Sequence, residues 1–150
     1  MKRKVITVFS LLVTLLTYGQ SIEYNIENGY LLHKYDVVSY FNNSPKKGNA
    51  KFIYEYENIK IMFSSKKNLN LFKSNPKKYM PKYGGWCAYA IAKKGEKVSI
   101  NPETYEIIDG SLYLFYNSWG TNTLELWNKE NPDLLKSKAN ANWAQLKLDE

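Results

Sequence analysis

The sequence predicts an α+β fold: a small antiparallel sheet made of two hairpins, packed against several short helices. Three observations carry that prediction. Phe52, Tyr54 and Tyr56 alternate with Lys51, Ile53 and Glu55, and Ile59, Ile61 and Phe63 alternate with Lys60 and Met62. Period-two alternation on either side of Glu57-Asn58 marks a hairpin with aromatics on one face. Asp109-Gly110 separates the apolar runs 105–108 and 112–116, which is the strongest short hairpin signal a sequence offers. Asn75-Pro76 and Asn131-Pro132 each place a capping side chain before a proline at the first helical position.

The chain begins with Met1-Lys2-Arg3-Lys4, an apolar run over 5–16, and Thr17 and Gly19 at the −3 and −1 positions of a cut before Gln20. That pattern is a secretory signal over residues 1–19. The apolar run is too short for a spanning helix, so no stable membrane insertion is expected after cleavage. An exported protein, periplasmic or secreted, is the expectation. Residues 20–29 are polar and are expected to be flexible. Residues 30–148 then form one domain.

Within that domain, residues 29–33 read as a short strand. Asp36 caps a helical turn holding Val37, Val38, Tyr40 and Phe41. Residues 42–49 are a loop punctuated by Pro45 and Gly48. After the first hairpin, Ser64 or Ser65 caps a helix with Leu69 and Phe72 as its apolar stripe. A second short helix opens at Pro76 and ends at Met80-Pro81. Gly84-Gly85 leads into a helix over 86–92, which places Cys87 in its first turn. The second hairpin follows, then helices carrying Leu124, Leu126 and Trp127, and Leu134, Leu135 and Ala139. No internal repeat or linker is visible.

The full chain holds 21 Lys and Arg against 14 Asp and Glu, a formal +7. Removal of the leader leaves 18 basic and 14 acidic residues, a net +4. The lysines are scattered in pairs, which does not describe a nucleic-acid partner. One cysteine in an oxidising compartment makes no internal disulfide.

In order along the chain, Asp36-Val37-Val38-Ser39-Tyr40-Phe41, the strand Tyr54-Glu55-Tyr56, Met62-Phe63-Ser64-Ser65, Phe72, Asn75-Pro76 and Tyr79 resemble the YHS domain. Tyr83-Gly84-Gly85-Trp86-Cys87-Ala88-Tyr89-Ala90, the segment 109–114 and Asn142-Trp143 extend that likeness to exported bacterial YHS-domain proteins, over roughly residues 30–147. The resemblance implies a metal-handling role through cysteines. The places where metal-type members carry those cysteines hold Ser39, Ser64 and Asn68 here, which are poor, neutral ligands for a soft metal. Ser64 and Asn68 read as capping and surface residues.

Cys87 is the central candidate. Unpaired N–H groups at a helix start favour a thiolate; a small buried apolar residue is the alternative. Cys87 with His33, and Met80 beside them, is a donor set that suits copper or another transition metal, although zinc-type sites want three or four ligands. Tyr35, Asp36, Tyr83, Trp86 and Cys87 are the candidate ligand-binding residues, the aromatics lining one pocket around the sulfur. No phosphate loop or catalytic triad spacing is present, and no catalytic residue is assigned. Three functions fit: a non-enzymatic binding module for a metal ion or small ligand, a thiol enzyme or redox protein using Cys87 with His33, and a structural domain with a buried cysteine.

Overall fold

The computed structural model describes residues 24–149, so the expected leader lies outside them. The described residues fold as α+β, with a four-stranded sheet, two smaller two-stranded sheets and five α-helices. β1 (Ile26–Glu27) pairs antiparallel with β2 (Tyr30–Leu31). β3 (Asn49–Tyr56) and β4 (Ile59–Phe63) form the first expected hairpin, and the sheet order is β1-β2-β4-β3. Tyr30 and Lys60 join β2 to β4 in parallel, so this sheet is mixed rather than antiparallel.

The second hairpin, β5 (Asn101–Ile108) with β6 (Ser111–Phe115), makes a separate sheet, and β7 (Asn117–Ser118) with β8 (Thr121–Asn122) a third. Within the segment expected to be flexible, residues 24–29 make defined contacts. Asn25 is buried, its N–H reaches Gly84 O at 2.8 Å and its Nδ2 reaches Gly85 O at 3.1 Å. A buried amide with both groups paired pins the chain.

Helices α1 (Lys66–Ser74) and α2 (Pro76–Tyr79) follow the first hairpin, with Ser65 Oγ accepting the Asn68 N–H at 3.1 Å. α3 (Ala88–Lys94) lies between the hairpins, and α4 (Thr123–Lys129) and α5 (Pro132–Leu146) close the chain. Asn122 and Asn131 cap α4 and α5 by accepting the N–H groups of Leu124 and Leu134.

β6 divides the core. Alternate side chains of a strand point to opposite faces. Leu112 and Leu114 join the cluster of Leu31, Ile61, Phe63 and Phe72, whereas Tyr113 and Phe115 join Ile91, Trp127 and Ala139. All four are buried, so this strand is sealed on both faces.

The two halves of the chain repeat one another, which the sequence did not reveal. Leu32, His33 and Lys34 have φ of 48°, 54° and 69°, and Tyr83, Gly84 and Gly85 have 54°, 62° and 84°. Both left-handed turns close by the same bond, Tyr35 N–H to Leu32 O at 2.9 Å and Trp86 N–H to Tyr83 O at 3.0 Å. Asp36 N–H then meets Lys46 O at 2.8 Å, as Cys87 N–H meets Val98 O at 2.9 Å. The helical turns that follow, Ser39–Asn42 and α3, end on left-handed Asn43 and Gly95.

The hairpins share one register. Asn49 faces Phe63 and, after a bulge, Ile53 faces Met62; Asn101 faces Phe115 and, after a bulge, Tyr105 faces Leu114. Asn49 and Asn101 each accept an N–H two residues on at 2.9 Å. Each half then ends in a capped helix followed by Asn-Pro and another helix, the second half inserting β7 and β8.

Candidate functional site

Cys87 is the N-cap of α3 rather than a first-turn residue, because its φ of −58° and ψ of 113° are not helical. Its backbone N–H is taken by Val98 O, so the unpaired donors expected around a thiolate do not face it. The side chain is fully buried. Sγ accepts the Tyr116 N–H at 3.3 Å and lies 3.3 Å from Thr123 Oγ1. Thr123 Oγ1 also lies within donating distance of Tyr116 O, at 2.9 Å, and that carbonyl accepts the Thr123 N–H as well, so either Sγ or Oγ1 can donate across the Cys87–Thr123 contact. Cys87 Sγ, Thr123 Oγ1 and the Tyr116 backbone therefore form a closed ring of bonds.

A cavity of about 210 Å³ opens above this sulfur, with Tyr89, Ala90, Val98, Tyr116 and Thr123 as walls and Lys93, Lys94 and Glu96 among its lining residues. Its lining is mainly apolar. Tyr89 is fixed from outside: its hydroxyl donates to Glu130 Oε1 at 2.6 Å, and Lys93 Nζ reaches Glu130 Oε2 at 2.9 Å. The hydrogen bond to Glu130 pushes the Tyr89 hydroxyl up, and the bonds from Tyr89 and then Lys93 hold Glu130 below the usual carboxylate range. Sequence reasoning missed Val98, Tyr116 and Thr123. Period-two alternation along β6 puts Tyr116 on the face of Leu112 and Leu114, where Cys87 bridges Leu114, and that was the available signal.

The equivalent place in the first half holds Asp36. Its carboxylate is fully buried and accepts four bonds: Val38 N–H on Oδ1 at 2.9 Å, and Ser64 N–H, Ser64 Oγ–H and Asn68 Nδ2 on Oδ2 at 2.8, 2.6 and 2.7 Å. Asp36 does cap the turn at Val38, as expected, but most of its bonds tie that turn to the start of α1. Ser64 and Asn68 are accordingly not surface residues; both are half-buried partners of Asp36. Ser39, whose Oγ donates to Asp36 O at 2.6 Å, completes the set. A polar cavity of about 280 Å³ lies here, lined by Ser39, Ser44, Lys46, Ser64, Ser65 and Asn68 among others.

The single aromatic pocket expected around the sulfur does not form. Tyr35 lines a cleft with His33, and its hydroxyl donates to Glu103 Oε1 at 3.2 Å. Tyr83 lines another with Asn140 and Trp143, and donates to Asn140 Oδ1 at 2.9 Å. Burial pushes the Tyr83 hydroxyl up strongly. The left-handed turn explains the separation: it sends Tyr83 to the α5 side of β6 while Cys87 joins the other cluster. Trp86 is half-buried and packs against the Tyr83 cluster.

His33 and Cys87 are not brought together. His33 lies against Glu27, whose Oε2 is 2.9 Å from Nε2 but off the line of a hydrogen bond. Met80, partly buried, packs against the cluster that contains Cys87. Among the described residues no three His, Cys, Asp or Glu side chains gather as a zinc-type site wants. The hydrogen-bond partners of Sγ are Thr123 and Tyr116, and His33 lines a different cavity, so the expected Cys87–His33 pair is not assembled.

No family model, no curated protein and no solved structure matches this chain. Among the described residues no helix is long and apolar enough to cross a membrane.

Proposed function

We propose that this chain is an exported, non-enzymatic binding module of YHS type that holds a small apolar molecule over Cys87. Export rests on the signal pattern of residues 1–19 and the YHS reading on the ordered run of motifs, both sequence-based. The observation that carries the ligand reading is the apolar cavity of about 210 Å³ with the hydrogen-bonded sulfur of Cys87 as its floor. Apolar cavities of about 150 Å³ take benzene-sized guests. The comparison between halves supports the same chemistry. Where the first cavity has Ser39, Lys46 and Ser64, the second has Ala90, Val98 and Tyr116. The second place is smaller, about 210 Å³ against about 280 Å³, and at these three positions it has no polar side chain but the Tyr116 hydroxyl.

The test uses indole as probe. Indole is expected to raise Tm of the wild-type chain and to slow labelling of Cys87 by N-ethylmaleimide. Ala90→Leu, which fills the cavity from its wall, is expected to abolish both effects. An unchanged Tm and labelling rate at saturating indole overturns the proposal.

A further inference from the structure

The left-handed turn Leu32–Lys34 is the place where the two halves differ most in residue type for the same backbone. The second half meets this geometry with Gly84 and Gly85. The first half keeps His33 and Lys34, side chains that the left-handed region disfavours. Leu32 has a packing reason to be there: it is fully buried, and its Cδ2 fills the space that a Cβ on Gly85 would enter at 2.6 Å. His33 and Lys34 have no such core role. Strained side chains that persist at a cleft are a mark of binding.

Both side chains line a cavity of about 420 Å³, together with Glu27, Tyr35, Lys47 and Pro102. Its walls are fixed. Tyr35 and Lys47 bridge each other, Lys34 O accepts the Gly48 N–H at 2.8 Å, and the Tyr35 hydroxyl is held by Glu103. The charged side chains lining the cavity are Lys34, Lys47 and Glu27, with the His33 imidazole 2.9 Å from the Glu27 carboxylate. Lys34 lies over the Tyr30 ring at 5.4 Å, and among the described residues Lys47 forms no ion pair.

We propose that this cleft is a binding site for a small oxyanion, a carboxylate- or phosphate-bearing molecule, held between Lys34 and Lys47 with His33 as a further donor. It is separate from the Cys87 cavity and stands or falls independently of it.

Amide chemical shifts of the chain are followed by NMR while sodium acetate and, separately, inorganic phosphate are added. Saturable shifts at Lys34, Tyr35 and Gly48 are expected, and the tighter anion names the acid group. Lys47→Ala is expected to weaken binding about tenfold or more, the usual effect of losing one charged donor. His33→Gly combined with Lys34→Gly is expected to abolish the saturable shifts while leaving Tm unchanged or higher, since glycine relieves the strain. Cys87→Ser leaves the anion response unchanged. The proposal is overturned by the absence of a saturable response to both anions, by an equal response in the Lys47→Ala chain, or by a lower Tm in the double-glycine chain, which would make those side chains structural.

Discussion

Asp36 and Cys87 occupy one position in two copies of the same fold unit. Asp36 Oδ2 receives the N–H of Ser64, the first residue after β4, at 2.8 Å; Cys87 Sγ receives the N–H of Tyr116, the first residue after β6, at 3.3 Å. Each side chain fastens the segment before a hairpin to the segment after it. A sulfur at the place of a carboxylate makes Cys87 an acceptor first, and its burial follows from that task.

Cys87→Ala is therefore expected to destabilise the fold by about 1–3 kcal/mol, the cost of a buried N–H left without a partner. Cys87→Ser retains an acceptor and a donor and is expected to cost less. Urea unfolding of the two variants checks the order; an Ala variant as stable as Ser would contradict it.

Removing Asp36 is expected to be worse. Asp36→Ala strands the backbone N–H groups of Val38 and Ser64 and the Asn68 amide together. Loss of about 3 kcal/mol or more is expected, because several buried donors lose one shared acceptor. The same denaturation measurement reads it.

Trp119 sits at the tip of the β7–β8 turn with φ of 50° and is 95% exposed. Turns with two positive φ angles favour Asn or Asp before Gly. Trp119→Asn is expected to stabilise the chain by up to about 1 kcal/mol, since the indole makes little buried contact and asparagine tolerates the left-handed region. A lower Tm in this variant would show that Trp119 has a packing role.

Alkaline pH is expected to unfold the protein. Burial, and then Glu57, push the Tyr24 hydroxyl from 10.0 up to about 12, and burial pushes Tyr40 and Tyr83 up as well. A phenol whose pKa is raised by folding contributes stability that is complete below pH 10 and is lost as pH climbs toward 12. Tyr24→Phe is expected to flatten the fall of Tm between those values. An unchanged profile would place the alkaline sensitivity in Tyr40 and Tyr83.

Both long hairpins were legible because their alternation and Asp109-Gly110 act locally. The caps at Ser65 and Asn131 were legible for the same reason. The left-handed turn at Leu32 was not, because nothing in Leu-His-Lys announces positive φ; only the core around Leu32 enforces it. The repetition stayed hidden for a related cause. The halves share bonds and angles, but Leu-His-Lys answers to Tyr-Gly-Gly and Asp36 to Cys87. Of the candidate site, Cys87 was legible as a lone thiol. Its walls were not, since Val98, Tyr116 and Thr123 meet it only through long-range packing.

β6, closed on both faces, makes the two clusters share one wall. Neither half has an interior of its own to fall back on, so cutting the chain between hairpins leaves each fragment with a raw apolar surface. Amide hydrogens on Leu112, Tyr113, Leu114 and Phe115 will be the last to exchange with deuterated solvent, and their release will coincide with global melting.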